Sequence, residues 1–469
     1  MTSAQRSGRW IDDWRPEDPE FWENGGRQVA RRNLIWSIFA EHLGFSVWLI
    51  WSVSAAFLLQ MGFSFSPQQL FLLVALPNLV GSLLRLPYTF AVPKFGGRNW
   101  TIISAALLLV PTLLFAFAVQ DPTTPYWVFC LIAATAGFGG GNFASSMANI
   151  NFFFPADRKG TALGLNAAGG NAGVAIIQLL LPVIVGGAGI FGLVKASDAG
   201  IHLQTAGFVY AGLAICAAVA AYLWMDNLTS ATSKPREQLA VVRKPHTWIM
   251  AFLYIGTFGS FIGYSAAMPL LIKLNFPDIV FAYYAFLGAA VGSLTRPFGG
   301  WLADKYGGAR VALGAFVSLV LCTLCVLWTL SRMSAGASNQ EWFPWFLGFF
   351  LLIFASTGIG NGSTYKMIPA IFRREAETTT ESGTPDRVAA LATATKQSSA
   401  ALGLIGAVGA LGGFLIPIAF SSPWVGDPLA ATKGAFVVFT CFYVVCVLVT
   451  FAVYVRRPSQ ARALATAGV

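Results

Sequence analysis

The chain has 469 residues, of which 56% are hydrophobic and 11% charged, with a formal net charge of +10 and a mean hydropathy of +0.65. Soluble domains carry about 25% charged residues, so this composition excludes a water-exposed globular fold and indicates an integral membrane protein. All six cysteines lie in apolar runs, which argues against a disulfide framework. We therefore expect no metal site and no cofactor.

Twelve apolar runs are long enough to cross a membrane as helices of about 20 residues each. We number them span 1 to span 12 and predict the boundaries 34–59, 68–92, 100–119, 126–150, 160–184, 205–225, 247–272, 278–302, 310–331, 343–366, 390–418 and 432–455. The predicted fold class is all-α, with six-helix bundles at 34–225 and 247–455. A tail at 1–33, a linker at 226–246 and a second tail at 456–469 complete the chain.

Positive charge is distributed unevenly about these spans. Of the 30 Lys and Arg residues, 24 fall in the two tails and in or near the loops after even-numbered spans, and four fall in or near the other loops. Such an excess marks the cytoplasmic side of a membrane protein, so we expect both termini in the cytoplasm. A nucleic-acid-binding protein would gather this charge on one soluble face, so nucleic acid is not an expected partner.

The end of span 2 is repeated at the end of span 8. Residues 81–98 read GSLLRLPYTFAVPKFGGR and residues 292–308 read GSLTRPFGGWLADKYGG, so Arg85 corresponds to Arg296 at an offset of 211. The repeated spacing places these arginines at equal depth in the two halves, because each precedes its loop lysine by nine residues.

Two further pairs of spans share the same relationship. GFGGGNF in span 4 (137–143) returns as GIGNGST in span 10 (358–364), and ALGLNAAGGNAGV in span 5 (162–174) returns as ALGLIGAVGALGG in span 11 (401–413). Each pair is six spans apart. Two parallel, pseudo-symmetric halves are the plan of the major facilitator superfamily, whose substrate sites lie near the membrane midplane between the halves.

Arg85 and Arg296 remain inside spans, where a charged residue costs about 2.5–3.5 kcal/mol on insertion scales. At about 1.5 Å per residue, each lies about 13 Å from its cytoplasmic loop in a hydrocarbon core about 30 Å thick. The spans hold almost no acids to pair with them. We predict that the two guanidiniums face each other and hold a small planar oxyanion. The alternative is that each is paired separately and only fixes helices.

Other residues of the predicted site come from spans 4, 5 and 7. Phe143, Tyr254 and Phe258 are candidates for its aromatic walls, with packing or lipid contact as the alternative. Asn171 lies inside span 5 and needs a polar partner in lipid, which is either the substrate or another helix.

Spans 5 and 11 carry many glycines, which let helix backbones approach closely. This pattern is consistent with static packing and with smooth helix faces that slide during transport. The predicted conformational glycines are Gly164, Gly169, Gly170, Gly173, Gly403, Gly406, Gly409 and Gly412.

The loop GGWLADKYGGAR (299–310) is similar to the cytoplasmic signature of the major facilitators, and its counterpart in the first half lacks the aspartate. We expect Asp304 and Arg310 to gate the transporter through ion pairs between helix ends. The alternative is that they only make the loop soluble.

Several stretches together resemble the nitrate/nitrite porter family of the major facilitators. They are DWRPEDPEFW in the tail, RLPY in span 2, NFASSMANINFFFP at 142–155 and the glycine-rich runs of spans 5 and 11, so the likeness covers essentially the whole chain. The resemblance implies transport of nitrate, nitrite or both across a bacterial inner membrane. It also implies that Arg85 and Arg296 clamp the anion, Asn171 and Tyr254 make polar contacts, and Phe143 and Phe258 form aromatic walls.

Span 1 departs from exchanger-type members of that family, which are apolar where this chain reads IFAEHLGFSVW. Glu41 is expected about 10 Å into the span, close to the level of the arginines. Carboxyl groups inside membranes often carry protons, and histidine titrates near neutral pH. Glu41 and His42 are therefore the candidates for proton coupling.

The sequence leaves the coupling mode open between obligatory nitrate/nitrite exchange and proton-coupled nitrate import, and we favour import. A nitrate sensor without transport is an alternative class, but the short tails and loops offer no signalling domain. An enzyme is not expected, because His42, His202 and His246 are scattered and no nucleophile elbow or metal-ligand cluster is present. We expect a monomer whose partners are nitrate, nitrite, protons and the lipid bilayer.

Overall fold

The computed structural model describes residues 9–186, 200–231, 240–380, 385–422 and 426–456. Eleven helices in this part of the chain are long and apolar enough to cross a membrane. The predicted span 8 is also a helix, Ala285–Tyr306, although Arg296 and the proline and glycines after it make it less apolar than the others. The prediction of an all-α protein with twelve long helices is confirmed.

Some of the sequence predictions concern residues outside the described ranges. They are the charges Arg6, Lys195, Lys234, Arg236, Arg457 and Arg462, the middle of the predicted linker and nearly all of the predicted C-terminal tail.

The chain divides into two compact units. The first comprises Met1–Phe65 and Leu76–Ser233, and the second comprises Ser66–Ala75 and Lys234–Val469. The predicted bundle boundaries at 34–225 and 247–455 stay predictions. The beginning of span 2 belongs to the second unit, where the ring centroid of Phe71 lies 5.9 Å from that of Phe420.

Spans 1 to 6 are helical, and three of them are interrupted. Their helices are Arg27–Trp48 and Ile50–Leu58 (span 1), Pro67–Phe95 (span 2), Gly97–Leu107 and Leu109–Ala118 (span 3), Tyr126–Ala136 and Phe138–Phe153 (span 4), Ala156–Ile184 (span 5) and Leu203–Trp224 (span 6). The tail forms a short helix, Pro19–Phe21, followed by a kinked turn, Trp22–Gly26, in which Asn24 and Gly25 are not helical.

Spans 7 to 12 have the same helical character. Their helices are Pro245–Tyr254 and Ser260–Asn275 (span 7), Ala285–Tyr306 (span 8), Gly308–Arg332 (span 9), Phe343–Thr379 (span 10), Pro385–Ala410 and Gly412–Phe420 (span 11) and Pro428–Thr450 (span 12). A π-helical turn, Ile255–Gly259, joins the two helices of span 7. Such turns occur frequently at functional sites.

Glycines at repeated positions let the helices of each unit touch through their backbones. In the first unit, a Cβ added to Gly137 would lie 2.7 Å from the backbone nitrogen of Gly81. In the second unit, a Cβ added to Gly358 would collide with the carbonyl of Gly292. These glycines are equivalent in the sequence repeat, so the chain builds the same contact between the second and fourth spans of a half twice.

The N-terminal tail folds against the first unit. Trp10–Ile11 forms a short strand, β1, that pairs in parallel with Asn227–Leu228, β2. Trp14 donates its Nε1–H to the carbonyl of Phe152 at 3.1 Å, and Trp22 is buried in the same hydrophobic cluster. The tail is therefore part of the folded core of this unit.

Asp226, which follows span 6, connects the tail to the helices. Its buried carboxylate accepts hydrogen bonds from Arg9 Nε at 3.0 Å, Arg32 Nη2 at 2.7 Å and Asn33 Nδ2 at 2.9 Å. Its backbone N–H donates to Asn33 Oδ1 at 2.8 Å. One carboxylate thus joins the tail, the start of span 1 and the end of span 6.

Replacing Asp226 with Ala should loosen this end of the unit, because two guanidiniums lose a shared acceptor. We expect a destabilisation of about 2 kcal/mol, less than for a fully buried pair because both arginines are partly exposed. The check is thermal unfolding in detergent together with proteolysis of the tail. Asp13→Ala removes an exposed acid of the same tail and should change neither measurement. Equal melting temperatures for wild type and Asp226→Ala would contradict the prediction.

Candidate anion-binding site

Arg85 lies in span 2 with no solvent exposure in its unit. Its Nε donates to the carbonyl of Gly140 in span 4 at 3.1 Å. The guanidinium carbon lies 4.8 Å from the centre of the Phe143 ring and 5.3 Å from that of Trp48. The close approach of spans 2 and 4 at their glycines brings the carbonyl within reach. Aromatic faces stabilise the buried cation through their quadrupoles.

Arg296 occupies the equivalent place in the second unit. Its guanidinium carbon lies 5.4 Å from the centre of the Tyr365 ring, and 7% of the residue is exposed. The Tyr365 ring lies 6.3 Å from that of Tyr254, which in turn stacks on Phe258 at 5.3 Å and an interplanar angle of 16°. The π-helical turn of span 7 contains Phe258 and follows directly after Tyr254.

The structure therefore brings Phe143 to Arg85 within the first unit. In the second unit, Tyr365 contacts both Arg296 and Tyr254, and Tyr254 stacks on Phe258. Sequence reasoning did not identify Trp48 or Tyr365. Tyr365 directly follows the repeated run 358–364 in span 10, which is the signal that could have found it.

Asn171 is 1% exposed, and neither end of its amide has a hydrogen-bond partner among the described residues. A buried polar group without a partner costs about 1–3 kcal/mol. Among the described residues, Asn171 makes no hydrogen bond to another helix, which was the alternative to substrate contact.

Glu41 is 1% exposed and lies among polar groups of spans 4 and 5. Its Oε2 accepts hydrogen bonds from Ser146 Oγ and from Asn166 Nδ2, the latter at 2.6 Å. The neighbouring His42 has Nδ1 3.1 Å from the carbonyl of Gly169. Since a carbonyl only accepts, this nitrogen carries the hydrogen. Both proton-coupling candidates thus face span 5.

Most of the predicted glycines in span 5 pack against span 1. Cβ atoms on Gly169, Gly170 and Gly173 would collide with Ile38, the Glu41 carboxylate and the His42 carbonyl, respectively, whereas a Cβ on Gly164 would meet no described atom within 4 Å. The absence of side chains therefore creates the room that Glu41 occupies.

The predicted glycines of span 11 are placed less uniformly. A Cβ on Gly409 would collide with the Tyr254 ring, and one on Gly412 would lie 2.5 Å from Gly259 Cα. Gly406 is buried and Gly403 is half-buried in the same span. Span 11 thus fixes the position of Tyr254.

Asp304 pairs with Lys366 Nζ at the end of span 10, and Arg310 is exposed. Ion pairs between exposed groups contribute at most about 1 kcal/mol. The gating role predicted for Asp304 and Arg310 stays a prediction.

Known proteins resemble this chain over most of its length. Residues 42–384 match the family described as Major Facilitator Superfamily. The chain is 43% identical to the nitrate/nitrite transporter NarU of Salmonella typhimurium, over 96% of this chain and 97% of that protein. It is 40% identical to the probable nitrate/nitrite antiporter NarK2 of Thermus thermophilus, over 78% of this chain and 83% of that protein.

Solved structures support the same fold. A D-xylose-proton symporter superposes with a TM-score of 0.61 and 15% identity over 89% of this chain and 96% of its own. The helical fold and these matches define the class of protein, a multi-pass membrane transporter and not an enzyme. Within that class, the chain belongs to the nitrate/nitrite porter family of the major facilitator superfamily. The resemblance in the sequence is thereby confirmed.

Gly173→Ala should destabilise the protein by about 1–3 kcal/mol, because the new methyl group overpacks the contact with the His42 carbonyl. Gly164→Ala is the matched control in the same helix. It should be neutral or stabilising by up to about 1 kcal/mol, since alanine favours helix. Thermal unfolding of the two purified variants tests the pair, and the same melting temperature for both would refute this packing.

Proposed function

We propose that this protein transports nitrate and nitrite across the inner membrane of a bacterium by alternating access, with Arg85 and Arg296 holding the anion. One observation carries the proposal. Equivalent positions of the sequence repeat each present a buried guanidinium against aromatic rings, in a chain whose relatives are named nitrate/nitrite transporters.

The chemistry of the two arginines suits these anions. Nitrate and nitrite are flat ions whose negative charge is shared among their oxygens. A guanidinium offers parallel N–H donors to two such oxygens at once, which a lysine ammonium does not. Phe143 and Trp48 beside Arg85, and Tyr365 beside Arg296, favour a small flat ion over a bulky one.

Asn171 and Tyr254 are the proposed polar contacts to the bound anion. The Asn171 amide is buried without a partner among the described residues, so a ligand that accepts its hydrogen bond would remove an energetic penalty. Tyr254 is held by its stack on Phe258 and by Gly409. This fixed position suits a group that orients a substrate.

The charge of the proposed site supports alternating access, because it makes the empty and the occupied site differ in energy. Two guanidiniums that share a site repel each other when it is empty, and an anion between them removes the repulsion. Occupancy should therefore favour the rearrangement of the two halves. Both termini are proposed to lie in the cytoplasm because of the bias in Lys and Arg.

For the energy source, we propose proton-coupled nitrate import, with Glu41 as the proton carrier. Support comes from a carboxyl that is buried within a membrane-spanning helix and bound by two polar side chains. Obligatory nitrate/nitrite exchange is the second candidate. The Thermus thermophilus relative is named a probable nitrate/nitrite antiporter, which favours exchange.

Arg85→Lys should reduce nitrate uptake by at least about tenfold, because a point charge cannot replace the two donors of the fork. The measurement is the initial rate of uptake into proteoliposomes. Arg98→Lys is the matched control, since Arg98 is also buried but donates to the Tyr222 carbonyl. Near-normal uptake by Arg85→Lys would contradict the proposed clamp.

A proton gradient alone should drive nitrate uptake into proteoliposomes that contain neither nitrate nor nitrite. Uptake under this condition rules out obligatory exchange, because no internal anion is available to leave. Counterflow of labelled nitrate is measured in parallel and reports transport without a gradient. Counterflow without gradient-driven uptake would overturn proton coupling, and loss of both would overturn transport of nitrate.

A further inference from the structure

Polar side chains form a continuous stripe along span 1. Asn33, Ser37 and Glu41 follow one another at intervals of four residues, which places them on one face of a helix. All three are buried, with at most 2% of each residue exposed. The three residues differ in their contacts, since Asn33 binds Asp226 whereas Ser37 and Glu41 contact spans 4 and 5.

Hydroxyl groups connect Ser37 to Glu41 through span 4. Ser37 Oγ lies 3.0 Å from Ser146 Oγ, and Ser146 Oγ donates to Glu41 Oε2. When Glu41 is ionised its Oε2 can only accept, so Ser146 gives it its single hydroxyl hydrogen and Ser37 is the donor to Ser146. Asn166 Nδ2 donates to both Ser146 Oγ and Glu41 Oε2 and so holds them together.

The direction of these hydrogen bonds is the direction needed to bring a proton to Glu41. From the structure, we propose that Ser37 and Ser146 form the path by which the Glu41 carboxyl exchanges its proton with the cytoplasmic side. The proposal rests on the proton-coupled function proposed above. It adds two relay residues and makes Asn166 a positioning residue, which orients the carboxylate and has no hydroxyl to relay a proton.

The transfer conserves protons at every step. On release, the Glu41 O–H bond breaks as Ser146 Oγ takes the proton, while the original Ser146 proton passes to Ser37 Oγ. The original Ser37 proton then passes to a water molecule that approaches from the start of span 1, so each hydroxyl ends with one hydrogen. Uptake of a proton by Glu41 is the reverse, and it begins from the hydrogen bonds described above, in which Ser37 donates to Ser146 and Ser146 donates to Glu41.

The location of Ser37 fits this role. It is one helical turn nearer than Glu41 to the start of span 1, where 37% of the Arg32 side chain is exposed. Glu41 is also the only acidic residue within the six predicted spans of the first half. A proton within these six spans therefore has one carboxyl to occupy, and the serine pair lies between it and the basic end of the helix.

Two substitutions of equal shape test the path. Ser37→Thr keeps the hydroxyl, whereas Ser37→Val replaces it with a methyl group of similar size. We expect Ser37→Val to take up nitrate under a proton gradient at least about tenfold more slowly than Ser37→Thr. Counterflow should be equal in both, since the loaded carrier can return without releasing its proton.

A matched pair in span 3 is the control. Ser104 is buried and donates to the Thr101 carbonyl of its own helix, so Ser104→Thr and Ser104→Val should take up nitrate equally. If the Ser37 variants do not reach the membrane, the same Thr and Val pair at Ser146 gives the comparison. Slower uptake with intact counterflow in the Val variant alone supports the path.

Three outcomes would overturn the inference, and they are distinguishable. Equal gradient-driven uptake by the Thr and Val variants would show that the hydroxyl carries no proton. Equal loss of uptake and counterflow in the Val variant would make Ser37 a structural residue. If the wild-type protein shows counterflow but no gradient-driven uptake, the proposed proton coupling is wrong. The proposed proton path is then wrong as well.

Discussion

The burial of a guanidinium inside an apolar helix is the constraint on which the rest of this structure depends. A charged side chain there costs several kcal/mol unless neighbouring groups replace the water it has lost. Around Arg85 the replacement comes from a carbonyl of span 4 and from the faces of two aromatic rings. Around Arg296 it includes the face of Tyr365. Each half therefore folds around its own cation, and the aromatic residues of the site also stabilise it.

Close contact between helix backbones is the means by which this compensation is achieved. Gly140 can offer its carbonyl to Arg85 only because spans 2 and 4 meet without side chains between them. In span 5, the same property creates space for a carboxyl group at Gly170 and brings Gly169 to His42. Glycine thus serves two purposes in the first half, namely to bring a cation to its acceptor and to admit an acid beside a neighbouring helix.

Much of this organisation could be predicted from the sequence, because it depends on patterns that repeat. The number of helices follows from apolar length, and the equivalence of Arg85 and Arg296 follows from a fixed offset. Trp48 and Tyr365 could not be predicted, since their importance depends on which helices cross at the depth of each arginine. Lys366 could not be predicted as the partner of Asp304 for a related reason, since the two residues lie on different helices, spans 8 and 10.

The attachment of the tail to Asp226 has a consequence for biosynthesis. Arg9 and Asp226 are separated by 217 positions, so the tail leaves the ribosome long before its acceptor exists. At bacterial translation rates, this interval lasts about 10–40 s. Throughout that time Arg9 and the strand at Trp10 lack their partners, because Asp226 and Asn227 do not yet exist. The docking of this part of the tail is therefore a late event in the maturation of the first half, which becomes possible only after the sixth helix has been synthesised.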